Sequence, residues 1–498
     1  MTIENDFLTF ACQAGSNVVS QAAYAALNAQ QTGFQAGLAP SAQCNKVWRQ
    51  GSIMASVLAQ FITQQSGQAA IDDGTTATLL ANFTHAVATL SGVAPKTILT
   101  GTSHVYAAAD AQTTTWRQNS GGLMTDTLPG APGSLPTGWT CTIVNADPGL
   151  TAMLAVTAAP GATLLGSNVY NNTILLGPGQ EMIVVYDGTN YEAWGAPIRA
   201  KIGANLTIFV STAGSDALNH GLTTGAPFAS IQRAISFAQQ VLDVNGFQVI
   251  CQLATVGGAT TTYAGNVIMS GYLVGQALPT LNYGVSAAGG GSATVPPQSQ
   301  YGAFVISGNA SNPALTVITN SVGATAAQSA VVRAGGQSSL ALTNVTLTSN
   351  VLGMVLLLSD PGSAVCVGAG CVFGTVAGGS SGAFQIWCSG VVYFAGSYSI
   401  ASSCQAHLLV NGSGAKANYS PVTVSIIGGV VSGGPFYNVS NCGSLYIENA
   451  TFNLTAGSVT GQRWGTFLNG TINTNTNGNP LFLPGTSNGG NSTGGEYF

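Results

Sequence analysis

Leu340-Ala341-Leu342-Thr343, Val365-Cys366-Val367-Gly368 and Val392-Tyr393-Phe394-Ala395 are short apolar runs that recur along the C-terminal half of the chain. With similar runs beginning near Thr316, Val422 and Leu445, they form a series whose starts lie 23 to 30 residues apart. A second series begins at Val331, Met354, Phe384, His407 and Phe436 and keeps the same phase. Each repeat therefore carries at least two strands, and a period in this range marks a solenoid. Gly335-Gly336, Asn344, Gly368, Gly412, Gly428-Gly429 and Gly443 punctuate the runs. They supply the positive φ that tight corners need. Blades of a propeller would be longer and more even in length. The spacing predicts a parallel β-helix over residues 205–465.

An open end of such a coil exposes unpaired backbone groups and a cross-section of core. Just ahead of the strands, Ile231, Ala234, Ile235, Ala238, Val241 and Leu242 fall on one helical stripe. This predicts a capping helix over 227–242. Beyond the coil, residues 466–498 form an Asn- and Gly-rich tail.

Residues 1–95 read as helical. Ser20 is an N-cap ahead of an Ala-rich turn, and a longer helix runs from Ser41 to Ser66, stopped by Gly67. On it Val47, Met54, Val57, Leu58, Phe61 and Ile62 share a face, and Thr76–Leu90 carries Leu79, Leu80, Phe83 and Val87. These helices are thin in apolar bulk for a single copy, so several copies side by side are expected to build the core. Residues 96–200 change to short strands, a small sandwich-like all-β module. Glu181–Tyr186 and Tyr191–Trp194 flank Asp187-Gly188-Thr189-Asn190, the signature of a hairpin.

Charged residues make up only 5% of the 498 residues, against about a quarter in an average soluble domain. Gly accounts for 66 positions. Such a surface is coated with hydroxyls and amides, which satisfy one another in ladders between stacked strands. Ten scattered Lys and Arg residues and a net charge of -5 leave no footprint for nucleic acid. No apolar run is long enough to span a bilayer. The acidic start, Met1-Thr2-Ile3-Glu4-Asn5-Asp6, lacks the features of an export signal, so folding in a cytoplasm is expected. The nine cysteines show no metal-site pairing and read as reduced, buried, small hydrophobes.

Thr207-Ile208-Phe209-Val210, Gly214-Ser215-Asp216, Asn219-His220-Gly221 and Pro227-Phe228-Ala229-Ser230-Ile231-Gln232-Arg233-Ala234-Ile235 resemble the opening of pectate-lyase-like right-handed β-helices in bacteriophage tailspikes and tail fibres. A second Asp usual in that loop is replaced around Asn219-His220. Asn45-Lys46-Val47-Trp48-Arg49-Gln50, the stretch from Gly177 to Trp194, and the end from Leu468 to Tyr497 are similar to other parts of such proteins, in the same order. The resemblance implies a homotrimeric virion protein assembled in a bacterial cytoplasm. Its N-terminal helix, with Val47, Trp48, Met54, Leu58 and Phe61, would anchor it to other tail or baseplate proteins. Its β-helix would meet polysaccharide or lipopolysaccharide at the host surface.

Polysaccharide cleavage needs a pair of carboxylates about 5 to 9.5 Å apart. From residue 205 on, the acidic residues are Asp216, Asp243, Asp360, Glu448 and Glu496. Asp216 belongs to the opening turn, Asp243 ends the capping helix, and Asp360-Pro361-Gly362 is a turn. Only a pair shared between chains could act, so no catalytic residue, cofactor or metal is assigned, and a depolymerase is the lesser alternative. A purely structural fibre is a further one. His407 starts an apolar strand and reads as packed or exposed rather than catalytic, and His220 as bonding backbone. Strand alternation turns Trp387 and Tyr393 outward, as a sugar-stacking platform or as packing against a neighbouring chain.

Overall fold

A computed structural model describes residues 3–91, 96–119, 122–130, 134–276, 302–320, 330–448, 450–475 and 479–498. The chain divides into two compact units. The first comprises Met1–Ile98, Ala108–Trp116 and Trp139–Thr142; the second holds Leu99–Ala107, Arg117–Gly138 and Ile143–Phe498.

In the first unit the long helix spans Ser41–Ser66, and Gly67 closes it at a φ of 67°. The next helix spans Ala77–Ser91. Ser20 caps Gln21–Ala25 by accepting the Ala23 N–H at 3.1 Å. The long helix turns its small residues inward. Ser56, Ala59, Ile62 and Ser66 are buried, while Val47, Met54, Val57 and Leu58 stay exposed. The expected apolar face is thus split: Ile62 packs within the chain, while Val47, Met54, Val57 and Leu58 do not. Ala59 and Ile62 meet Ala70, with Phe7, Leu79 and Phe83 around them. Close helix packing favours small side chains at the contact, and here Ser and Ala provide it.

The second unit opens with the β-module. Ser103–Val105, Met124–Leu128, Leu154–Ala158, Thr173–Leu176 and Val169–Tyr170 line up in that order as a mixed five-stranded sheet. The Glu181–Tyr186 and Tyr191–Trp194 hairpin forms as expected. Its turn is held by Asp187 Oδ1, which accepts the N–H groups of Thr189 (2.7 Å) and Asn190 (2.6 Å). A buried ion pair lies in the module. Arg117 Nε meets the Asp126 carboxylate at 2.8 and 3.0 Å, both side chains fully inaccessible. The guanidinium also donates to the carbonyls of Leu99 and Gly101, and Tyr106 donates its hydroxyl to Asp126.

The body is a parallel β-helix of three sheets, with ten, seven and eight strands, paired in parallel among the described residues. In the ten-stranded sheet, strands start at Ser339, Ala364, Val391, Lys416, Ser444 and Thr471, so each turn takes 25 to 28 residues. Inward residues stack in columns. Leu340, Val365, Val392, Ala417, Leu445 and Ile472 follow one another in register. The series from Val331 to Phe436 belongs to the eight-stranded sheet. Thr316 and Val422, however, begin strands of the seven-stranded sheet rather than of the ten-stranded one. That third strand is as short as Val372–Phe373, too brief to show a period of its own. The tail joins the coil: Thr471–Asn473 and Glu496–Tyr497 extend the ten-stranded sheet, and Gly490–Asn491 the eight-stranded one.

The first turn is closed by the helix Ile231–Val241, whose Ile231, Ala234, Ile235, Phe237, Ala238 and Val241 are buried. Asp216 fixes its start, accepting the N–H groups of Ala229 (2.7 Å) and Ser230 (3.0 Å) and the Ser230 hydroxyl (2.6 Å). His220 bonds backbone, its Nδ1 accepting the Leu222 N–H at 3.1 Å. The helix also carries the module. The Arg233 guanidinium lies 4.1 Å from the Tyr170 ring centre, and Tyr170 packs edge-on against Phe228 and Phe237.

Corners use Asn as well as Gly. Asn344, Asn441 and Asn469 have φ values of 54°, 53° and 60°. Asn320 with Asn350, and Asn411 with Asn441, link side chains at 2.6 Å, the amide ladders expected of an uncharged coil. Cys141, Cys251, Cys366, Cys371, Cys388 and Cys404 are buried and unpaired, and burial pushes the thiols of Cys366, Cys371, Cys388 and Cys404 up to about 12. Cys12 and Cys442 are exposed and Cys44 is partly so, which corrects the expectation that all nine are core residues.

Inside the coil His407 is fully buried. Gln385 Nε2 donates to the Ser402 carbonyl, leaving its Oε1 to accept from His407 Nδ1 at 2.7 Å. His407 Nε2 then accepts from the Tyr398 hydroxyl (2.8 Å), which accepts from Tyr419 (2.9 Å). In this arrangement Nε2 carries no proton and the imidazole is neutral. Burial accordingly lowers His407 from 6.5 to about 3.

Two predictions follow from these buried groups. Arg117→Met strands a carboxylate and should cost about 3–5 kcal/mol in denaturant unfolding followed by near-UV circular dichroism, with most recovered in Arg117→Met/Asp126→Leu. His407 has a lower pKa folded than unfolded, so its contribution is complete above pH 6.5 and declines as the pH falls toward 3. The urea midpoint should drop over that window, by up to about 1.4 kcal/mol per pH unit. In His407→Gln the drop should be smaller; an identical pH profile would refute the assignment.

Candidate functional site on the outer face of the ten-stranded sheet

Residues that alternate with the core columns point away from the coil. On the ten-stranded sheet one outward column runs Val305, Ala341, Cys366, Tyr393, Asn418, Tyr446, Asn473, one residue per turn. Its neighbour runs Ala364, Val391, Lys416, Ser444, Thr471, Glu496. Parallel strands lie about 4.8 Å apart, so these side chains form a regular surface lattice.

The lattice changes character along the coil. Ala341, Ala364, Cys366, Val391 and Tyr393 form a separate apolar cluster, away from the interior core. Tyr393 does face outward, as alternation predicts, but only 7% of it is accessible. It cannot offer a ring face to a ligand. Two turns further on, Tyr446 is 41% exposed. Asn418 and Asn473 flank it in the turns before and after, and Ser444 and Thr471 lie beside it, their hydroxyls 3.2 Å apart. An aromatic ring framed by amides and hydroxyls suits a ligand with one apolar face and a rim of hydroxyls. Nothing in the short strand Ser444-Leu445-Tyr446 discloses this by itself. Asn418 and Asn473 lie 28 and 27 residues away, and only the register brings them together.

Trp387 lies on the eight-stranded sheet, between Leu358 and Leu409 in register. It is partly buried and packed against the core, with Phe384 edge-on at 6.0 Å. Phe384 is itself only partly buried. The two predicted platform residues therefore sit on different sheets and make no common surface. Of the N-terminal residues, Trp48 is 61% and Met54 69% exposed, Trp48 resting against Phe10 at 5.9 Å; Phe61 is partly covered by Phe83 at 6.2 Å.

Asp360 and Glu448 do not meet. Asp360 precedes the strand Ala364–Val367, and Glu448 follows Ser444–Tyr446, three turns further along the same sheet. Three turns separate them by about 14 Å along the coil, beyond the reach of a cooperating pair. Asp360 instead binds Arg333 at 2.8 Å and forms the turn to Ser363. Among the described residues, no three His, Cys, Asp or Glu side chains gather as a metal-holding group, and no helix is long and apolar enough to cross a membrane. Compared with known proteins, the chain matches no family, no curated protein and no solved structure.

Proposed function

We propose that this protein is a trimeric bacteriophage tail fibre that holds the virion through its N-terminal helices and meets a host-surface glycan through its β-helix. The observation that carries the reading is the outward column Asn418–Tyr446–Asn473: an exposed ring between two amides on an almost uncharged, rigid coil. Rigid backbone matters here. A platform on stacked strands loses little conformational freedom when a sugar docks, so weak stacking and hydrogen bonds are not spent on ordering it. Trp48, 61% exposed and off the apolar stripe of the Ser41–Ser66 helix, supports an attachment role for the other end. Separation of the acidic side chains supports binding without cleavage.

The test is binding of the purified full chain to a panel of bacterial capsular polysaccharides and lipopolysaccharides. Tyr446→Ala should weaken binding to the recognised glycan about tenfold, the loss of one aromatic stack of roughly 1.4 kcal/mol. Trp194→Ala, which removes a ring exposed elsewhere, should leave it unchanged. Equal binding by wild type and Tyr446→Ala would refute the site. Release of reducing ends or unsaturated uronates from the bound glycan would instead favour a depolymerase.

A further inference from the structure

The Ser41–Ser66 helix has two stripes. One, through Ser52, Ser56, Ala59, Ile62 and Ser66, faces the rest of its own unit. About a third of a turn round the helix lies a second, Val47, Gly51, Met54, Leu58, Phe61 and Gln65, spaced four, three, four, three and four residues apart. That is the spacing of a coiled-coil seam, in which each large side chain enters a hole on a facing helix. The seam lies open: Val47 is 41%, Met54 69% and Leu58 45% exposed, with Val57 beside them at 55%.

We infer that this seam is a self-association face, on which the same helix of further copies of this chain packs in parallel and in register. The inference rests on the trimeric reading above and names the surface that would build the trimer. Its occupant is argued from three features. The seam contains no charged residue, so identical stripes meet without like-charge repulsion. Val47, Met54, Val57 and Leu58, each 41% to 69% exposed, leave an open apolar patch on each chain that several copies can combine. An apolar hollow lined by Phe7, Ala55, Leu58, Ala59, Ile62 and Leu79 opens beside the seam and offers a recess for a neighbour's side chain.

Gln65 and Gly51 set the direction. In a parallel, in-register bundle the Gln65 amides meet one another, and the Gly51 positions share one layer. An antiparallel pair would bury Gln65 against Val47. A polar residue at one seam position fixes register in this way.

Light scattering on the full chain tests the face. Wild type should show the mass of three 50.0 kDa chains, and Met54→Lys/Leu58→Lys that of one. Both substituted residues are exposed in the single chain, and unchanged far-UV circular dichroism would confirm that the variant folds. In a chain whose Cys12, Cys44 and Cys442 are replaced by Ser, oxidation of Gln65→Cys should give disulfide-linked pairs absent from that parent and from Gln60→Cys, which lies off the seam. If the lysine variant keeps the wild-type mass and Gln65→Cys does not cross-link, the seam is overturned while the trimer stands on other contacts. A monomeric wild type would overturn both.

Discussion

Parallel stacking in register is the constraint from which the rest of this structure follows. Once Val365 sits over Leu340, and Val392 over Val365, every residue of the strand is committed to the inside or the outside of the coil. Backbone hydrogen bonds run from turn to turn, and each turn needs only its neighbours to satisfy them. A chain built this way has little use for charge. Amide ladders such as Asn411–Asn441 replace ion pairs at the corners. The two buried networks of the second unit, Arg117–Asp126–Tyr106 in the module and His407–Tyr398–Tyr419 in the coil, are closed sets in which each polar atom has its partner.

The ends of the coil are handled differently from its middle. At the first turn a helix covers the core, and Asp216 pins its N-terminus from within the preceding loop. The same helix binds the β-module through Arg233 and Tyr170, so one element both closes the coil and holds the module. At the far end Trp464 and Tyr497 stack at 4.1 Å, and Leu483 fills the core.

Much of this was legible in the sequence. Helix limits were marked by Ser20 and Gly67, the hairpin by Asp187-Gly188, and two of three sheets by apolar runs at a steady interval. What escaped did so for definite reasons. The seven-stranded sheet has strands of two to five residues, whose alternation looks like that of their neighbours, so Thr316 and Val422 were grouped with the wrong sheet. Alternation told which way Tyr393 points, but depth depends on Cys366 and Ala341, which reach it only through register. The Ser41–Ser66 helix was read as too thin in apolar bulk for a single copy, and within its own chain it packs mainly through Ser56, Ala59, Ile62 and Ser66.

Alternation within each strand has a consequence for how such a protein changes over generations. Leu445 and Tyr446 are adjacent, yet one belongs to the column that holds the coil together and the other to the surface that meets the outside. Foldedness and outer surface are written on alternate letters of the same word. Substitutions at exposed outward positions leave the inward column untouched, and each turn contacts only the next. A lineage can therefore rework its outer face by drift at those positions, without passing through an unfolded ancestor.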